Sequence, residues 1–376
     1  MKPSTDTSGK HAIVIAMAQR FLPAAQVTVT SLGAGLINDS FLVHAIIDGQ
    51  QRRAVLQRIN HRVFNEPAQL MANMEKVLTR FHNATAPSGL VMPTLYRADD
   101  GLTYCRDSEG GYWRMTSYID NATSIDTLQS SQQARRVGIA LGCFHATLAD
   151  MDVSALFDTL PGFHVTPRYL ESYDAAAAGF APASDAEGSC AAMIEEGRAA
   201  AGVLQQALAS GVLRLRVMHG DPKMNNFLFS ADGDTVLSLI DLDTVKPGLY
   251  HYDIADCIRS ACNPAGEDPA RPGVEFNMTY CQSLLQGYMS MCGHGFTQAE
   301  IDLLPAAISL MPYELGLRFF TDHLTGNQYF KTAYAGHNLD RALRQFSLWR
   351  QTRQQQEAIA QQLQKRAAWS APLLDA

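Results

Sequence analysis

From residue 27 to residue 59, short apolar stretches alternate with polar, Gly-containing turns. Val27-Thr-Val-Thr, Ser40-Phe-Leu-Val-His-Ala-Ile-Ile and Arg53-Ala-Val-Leu-Gln-Arg-Ile each read as a strand, with the turn signal Asp48-Gly49 between the second and third. Pro67 opens a helix, where its missing N–H costs nothing, and Leu70, Met74, Val77, Leu78 and Phe81 fall on one face. A weak strand at 103–105 and a stronger one at 112–119 follow. Three strands, a helix and two more strands predict an α+β lobe on an antiparallel sheet, preceded by a short helix at 11–22. After about Asp120 the periodicity becomes helical. Val137, Leu141, Phe144 and Leu148 mark one helix, and 183–209 contains another. A short strand is expected at 213–217. Helical patterns resume near Tyr252, with breaks at Pro264, Pro269 and Pro272, and the Gln- and Arg-rich stretch 341–366 reads as a solvated helix packed on one side. The division expected is 1–120 for the sheet lobe and 121–376 for the helical lobe, with no internal repeats.

One segment breaks the helical pattern. His219-Gly220-Asp221-Pro-Lys-Met-Asn225-Asn226 precedes two apolar runs, 227–229 and 236–240, joined by the polar turn 231–234, and the second run ends in Asp241-Leu-Asp243. Two apolar strands around an Asp-Gly turn form a hairpin, which brings its ends together. Asp221 and Asn226 then meet Asp241 and Asp243 at one mouth. Three carboxylates and an amide oxygen suit a hard cation and leave one carboxylate to take a proton, the equipment of phosphoryl transfer. The five-residue step from Asp221 to Asn226 matches the base-to-metal-ligand step of kinase catalytic loops. Asp232 and Asp234 belong to the hairpin turn, and Asp256 reads as structural. Only twelve positions separate Asp241 from Asp253, too few for a peptide-docking platform, so the acceptor should be small.

The bulk numbers narrow the picture. The 376 residues are 47% hydrophobic and 18% charged, with formal net charge −7. That charge argues against a nucleic-acid groove but not against a nucleotide substrate. Seven cysteines, none in a C-x-x-C pair, read as buried free thiols of a reducing compartment. The apolar run 12–18 has no cleavage pattern after it, and no run approaches the ~20 residues of a membrane span, so a soluble cytoplasmic protein without a membrane or nucleic-acid partner is expected, as a monomer or weak homodimer.

His219-Gly-Asp221, Asn226 and Ile240-Asp241 resemble the signature of the aminoglycoside and choline kinase-like phosphotransferases. The resemblance implies a bilobal protein-kinase-like fold, ATP and Mg²⁺ as cofactors, Asp221 as base, Asn226 and Asp241 as magnesium ligands with Asp243 assisting, and Asp253 as a brace for the catalytic loop. Gly33 and Gly35 stand where a phosphate-covering loop belongs. Residues 115–119, Tyr118 among them, stand where a hinge strand would hold adenine. At the strand position where kinases carry Lys, this chain has Gln57 followed by Arg58. Either a bulge presents Arg58 or the site works without that cation. Glu75 is its candidate partner or a solvated helix charge.

Longer stretches, among them 35–43, 55–60, 70–75, 240–248 and 317–322, resemble the N-acetylhexosamine 1-kinases, in which Gln also replaces that Lys; Leu36 departs from the polar His of that family. The implied reaction phosphorylates the anomeric hydroxyl of N-acetylglucosamine or N-acetylgalactosamine. Glu314, Arg318 and Asp322, at helical spacing, with Tyr329 and Asn38, are the candidate sugar ligands; the alternative for the charged face is a buried ion network. His145, which resembles a helix feature of the family, reads as a satisfied core histidine, and Trp113, Trp349 and Trp369 read as core or surface packing. A choline, amino alcohol or aminoglycoside acceptor is the alternative enzymatic reading, and a non-catalytic nucleotide-binding scaffold is disfavoured by intact Asp221, Asn226 and Asp241.

Overall fold

The computed structural model describes residues 7–23, 25–33, 37–84 and 89–365. The chain divides into two units, Met1–Ala84 with Val91–Asp120, and Thr85–Leu90 with Asn121–Ala376.

The first unit contains α1 (Thr7–Phe21), β1 (Gln26–Ser31), β2 (Asp39–Ile47), β3 (Gln50–Ile59), α2 (Pro67–Asn83), β4 (Cys105–Arg106) and β5 (Tyr112–Ser117). The strands pair antiparallel in the order β1-β2-β3-β5-β4. Asp48 (φ 52°) and Gly49 (φ 77°) form the two-residue turn between β2 and β3, whose left-handed backbone matches the twist of a hairpin. Alternation then divides β3. Ala54 and Leu56 join Val43, Trp113 and Met115 in a core beneath Val14, Ala18 and Phe21 of α1. Val55 and Gln57 take the opposite face.

The second unit contains β6 (Ala122–Ser124), α3 (Ser131–Leu148), α4 (Thr166–Ala176), α5 (Asp185–Gly197), α6 (Val203–Ala209), β7 (Arg216–Met218), β8 (Phe227–Ser230), β9 (Val236–Leu239), β10 (Lys246–Gly248), α7 (Tyr250–Ala261), α8 (Met278–Cys292), α9 (Gln298–Asp302), α10 (Leu304–Leu324), α11 (His337–Gln354) and α12 (Gln356–Gln364). Helices α3 and α8 pack backbone to backbone: a Cβ at Gly138 would stand 2.0 Å from Leu284 O, and one at Gly287 would stand 2.1 Å from Arg135 O. Only glycine permits that approach.

Three expectations change. Residues 183–209, expected to contain one helix, contain two, α5 and α6, with Gly197 against the Tyr313 ring, where a Cβ would come within 2.2 Å, and a turn at Gly202 between them. The hairpin gains β6 as a third strand, and β10, unforeseen, pairs with β7. The stretch 341–366 is less solvated than expected. Phe346 and Trp349 are buried, and buried Arg344 donates to the carbonyls of Ala265, Gly266 and Arg271. Trp113 is also buried, whereas Trp369 lies outside the described residues. All seven cysteines are free and buried.

Candidate active site

β7 delivers the chain into the loop that carries Asp221, and β8 and β9 bring Asn226 and Asp241 to the same end of their hairpin. The Asn226 amide nitrogen donates to Asp221 O at 2.7 Å, which leaves its amide oxygen for another partner, and Ile240 N donates to Asn226 O at 2.9 Å. Asp241 has a left-handed backbone (φ 68°, ψ 60°), uncommon for a residue other than glycine and enriched at functional turns. Asp243 follows in a 3-10 turn and is buried.

The loop is held from behind by Asp253 of α7, which is fully buried. One of its oxygens accepts from His219 N (2.6 Å) and from His145 Nε2 (2.8 Å); the other accepts from Gly220 N (2.7 Å). His145 Nδ1 in turn accepts from Tyr288 O–H at 2.8 Å, and its ring stacks on Tyr250 at 3.8 Å. The His219 Nε2–H donates to Ile240 O (3.0 Å), and its Nδ1 faces Asp221 N–H (3.3 Å). Each of these two rings therefore needs one proton, and burial holds both below the ordinary histidine pKa. Gly220 has φ 89°, and a Cβ there would meet Thr244 O at 2.7 Å, so the loop admits only glycine ahead of Asp221.

Lys223, absent from the sequence expectations, donates an ion-paired hydrogen bond to Asp221. Burial opposes its charge, but Asp221 and Asp241 outweigh that, and its pKa is raised. Its position two residues after Asp221 was the available signal. Asp256 is bound to Arg259, which also reaches Glu267, so it is structural as expected.

On α10 the three charged residues separate in role. Arg318 points its guanidinium at four rings, with centroids 5.4 Å (Phe163), 5.0 Å (Tyr169), 6.0 Å (Tyr329) and 5.6 Å (Phe330) away. Burial works against its charge; Tyr169, Tyr329, Glu314 and Asp221 work for it, and its pKa is raised. The two acids are corrections to the expected sugar face. Asp322 accepts from Tyr329 N (2.8 Å), Phe330 N (2.9 Å) and Asn338 Nδ2 (2.9 Å), and so folds the loop that presents two of those rings. Glu314 is buried against His164 Nδ1 (2.8 Å) and Thr166 Oγ1 (2.7 Å). Both carboxylates belong to internal networks, the alternative weighed for that face.

In the first unit, Gly33 is left-handed (φ 65°) with open space where a Cβ would be; Gly35 and Leu36 lie outside the described residues. Asn38 is committed to structure, its amide oxygen accepting from Asn60 N at 2.9 Å. The pairing of β3 is regular on both sides, so no bulge turns Arg58 around. It lies by Asp107 (3.6 Å), Glu109 (3.5 Å) and the Trp113 ring, on the face opposite Gln57, and is corrected as a phosphate ligand. Glu75 pairs with Arg97 instead. Gln57 Oε1 accepts from Arg114 Nε (3.0 Å) and Nη2 (2.8 Å), and Gln57 Nε2 donates to Ser40 Oγ (3.0 Å). Arg114 is a fully buried guanidinium in β5, and an arginine in so apolar a strand was the overlooked signal. Tyr118, with the Arg53 guanidinium 4.5 Å over its ring, lines a concavity of about 890 Å³ with Thr28, His44 and Asp120.

Among the described residues, no three His, Cys, Asp or Glu side chains cluster into a metal cage, and no helix is long and apolar enough to cross a membrane. The donors at the hairpin mouth are all hard oxygens, a set that fits magnesium sharing its shell with phosphate and water better than a closed protein cage.

The chain is similar to an aminoglycoside phosphotransferase from Alicyclobacillus acidocaldarius, with 15% identity, a TM-score of 0.63, and coverage of 93% of this chain and 96% of that one. It is similar to a choline kinase from Cryptosporidium parvum, with 15% identity, a TM-score of 0.60, and coverage of 97% and 100%. A Plasmodium vivax ethanolamine kinase matches with 11% identity, a TM-score of 0.54, and coverage of 88% and 85%. At such identities the likeness establishes the fold, which is kinase-like, with a sheet-rich N-terminal region and a helical C-terminal region. The profile of one family, described as "Phosphotransferase enzyme family", matches residues 28–291, well over half of the sequence, and the chain belongs to that family.

Proposed function

We propose that this phosphotransferase moves the γ-phosphoryl group of ATP to the anomeric hydroxyl of an N-acetylhexosamine, with magnesium. Asp221 takes the hydroxyl proton as the acceptor oxygen attacks phosphorus in line. An anomeric hydroxyl is more acidic than an ordinary alcohol, so a carboxylate base suffices. Asn226, Asp241 and Asp243 would hold the magnesium, which when bound neutralises charge on the phosphate oxygens. Lys223 supplies a fixed positive charge beside the base, where negative charge accumulates on the phosphoryl group. The remaining N–H of Gln57, the glycines at 33 and 35 and the concavity beside Tyr118 are the candidate nucleotide contacts.

The observation that carries the choice of acceptor is Arg318. Cationic acceptors bind in aromatic cages. Here the cage of Phe163, Tyr169, Tyr329 and Phe330 already holds a guanidinium, a donor suited to the oxygens of a neutral sugar. The second reading, an aminoglycoside, choline or amino alcohol acceptor, is favoured by the aminoglycoside, choline and ethanolamine phosphotransferases among the similar structures.

The test is ADP release with ATP and Mg²⁺ over N-acetylglucosamine, N-acetylgalactosamine, simple aldoses, choline, ethanolamine and an aminoglycoside, with phosphorus NMR of the product. An anomeric phosphate is expected. Turnover of the amines alone would overturn the sugar assignment and leave the phosphotransferase intact.

A further inference from the structure

Gly220, the residue before the base, is held at both of its backbone polar groups. Asp253 takes Gly220 N, and His164 Nε2 stands 2.9 Å from Gly220 O. The other nitrogen of His164 faces a second acceptor, Glu314 Oε1, at 2.8 Å. His219 sets one nitrogen against a backbone N–H and one against a carbonyl, and His145 sets one against a hydroxyl, which can donate, and one against a carboxylate. His164 alone of the three faces a group that can only accept at each nitrogen, and a neutral imidazole has only one N–H to give.

The backbone adds a second observation. His164 has φ 61°. A residue with a bulky ring is strained in that region and persists there where its surroundings over-determine it. Those surroundings are Phe163 at 4.0 Å, Tyr252 at 5.3 Å, Thr166 holding the far oxygen of Glu314, and Gln205 near the His164 carbonyl. Glu314 lies one helical turn before Arg318 on α10.

We propose that His164 is a positioning residue, an imidazolium clamped between Glu314 and the Gly220 carbonyl, that fixes the peptide bearing the base and ties it to the helix bearing Arg318. The proposal rests on the phosphotransfer reading for its kinetic consequence and on geometry alone for its protonation.

The charged and titratable groups facing the ring are Glu314 from α10, and Asp256 and Tyr252 from α7. Burial disfavours the charged ring, but the Glu314 carboxylate, its hydrogen bond, Asp256 and the Gly220 carbonyl outweigh that, and the pKa is raised. A raised pKa means that the clamp is whole below the ordinary histidine range and is lost as pH rises through the folded value. Activity should therefore carry an alkaline limb set by His164.

The first experiment is nitrogen-15 NMR of the imidazoles in the full-length protein. Two protonated nitrogens are expected at His164 and one each at His145 and His219. A neutral His164 beside a protonated Glu314 would overturn the proposal. The second experiment is kinetic. In His164→Asn the side chain tolerates positive φ but is too short to reach both partners. It should lower kcat about 10- to 100-fold with the nucleotide KM within about threefold, in keeping with the cost of a small displacement of a catalytic group. Glu314→Gln keeps the hydrogen bond but not the charge, and should move the alkaline limb to lower pH. Unchanged kcat in His164→Asn, or an unmoved limb in Glu314→Gln, refutes the clamp. If the unaltered protein phosphorylates no acceptor, the functional reading fails, while the NMR result still decides the clamp.

Discussion

Replacing Asp253 with Asn changes one oxygen into an NH₂ group and nothing else in size. The carboxylate accepts three hydrogen bonds, two on one oxygen and one on the other. If the new NH₂ faces Gly220, that backbone N–H meets a donor. If it faces His219, the ring of His145 can exchange tautomers with Tyr288, but the His219 N–H still meets a donor. Either orientation leaves one buried backbone N–H without an acceptor, at about 1–3 kcal/mol, and reduces the others from charged to neutral bonds, at up to about 1 kcal/mol each. The total is about 1–5 kcal/mol. For a unit of this size, that corresponds to roughly 2–20 °C in Tm. Differential scanning calorimetry measures the loss, and ADP release measures turnover on whatever protein remains folded, with kcat expected to fall at least tenfold because the displaced peptides flank the base. A Tm within 1 °C of the parent protein would show that Asp253 does not brace the loop.

Lys223→Met should lower kcat by about 10²–10³-fold with little change in Tm, since it removes a charge beside the base and leaves an apolar stem of similar length; a turnover assay that finds less than a fivefold loss removes Lys223 from the chemistry. Gly287→Ala should destabilise by at least the ~1–3 kcal/mol of ordinary overpacking, because the neighbouring atom is the backbone carbonyl of Arg135, and urea unfolding would detect it. Arg58→Ala should leave the nucleotide KM within about twofold, whereas Gln57→Leu, which leaves the buried Arg114 facing an apolar group, should raise that KM and lower Tm together; equal effects of the two would reopen the assignment of β3 faces.

What could be read from the sequence was local. The hairpin from Phe227 to Leu239 is written in two apolar runs and an Asp-Gly turn, and β3 in the apolar run Ala54 to Leu56 after an Asp-Gly turn, so both emerge from neighbours in sequence. The two-residue period of a regular strand then sets Arg58 on the face of Trp113, opposite Gln57. The acceptor side was not legible in this way. Arg318 is surrounded by rings at 163, 169, 329 and 330, and Glu314 bonds to a histidine 150 positions earlier. Helical spacing placed Glu314, Arg318 and Asp322 within reach of each other, but it cannot show that two of them face inward. The closeness of Gly197 to a ring was illegible for the same reason, since Tyr313 comes from another helix.

The buried cysteines turn the molecule into its own reporter of opening. A thiol reagent attacks the thiolate, and burial both shields these seven sulfurs and raises the pKa of six of them, Cys105 to about 11. Alkylation at neutral pH therefore proceeds through transient unfolding, at a rate set by the opening equilibrium. Cys105 lies in the N-terminal sheet and the other six among the helices that follow. Mass spectrometry of one labelling time course would thus time the loosening of each unit separately, with no probe added and no residue changed.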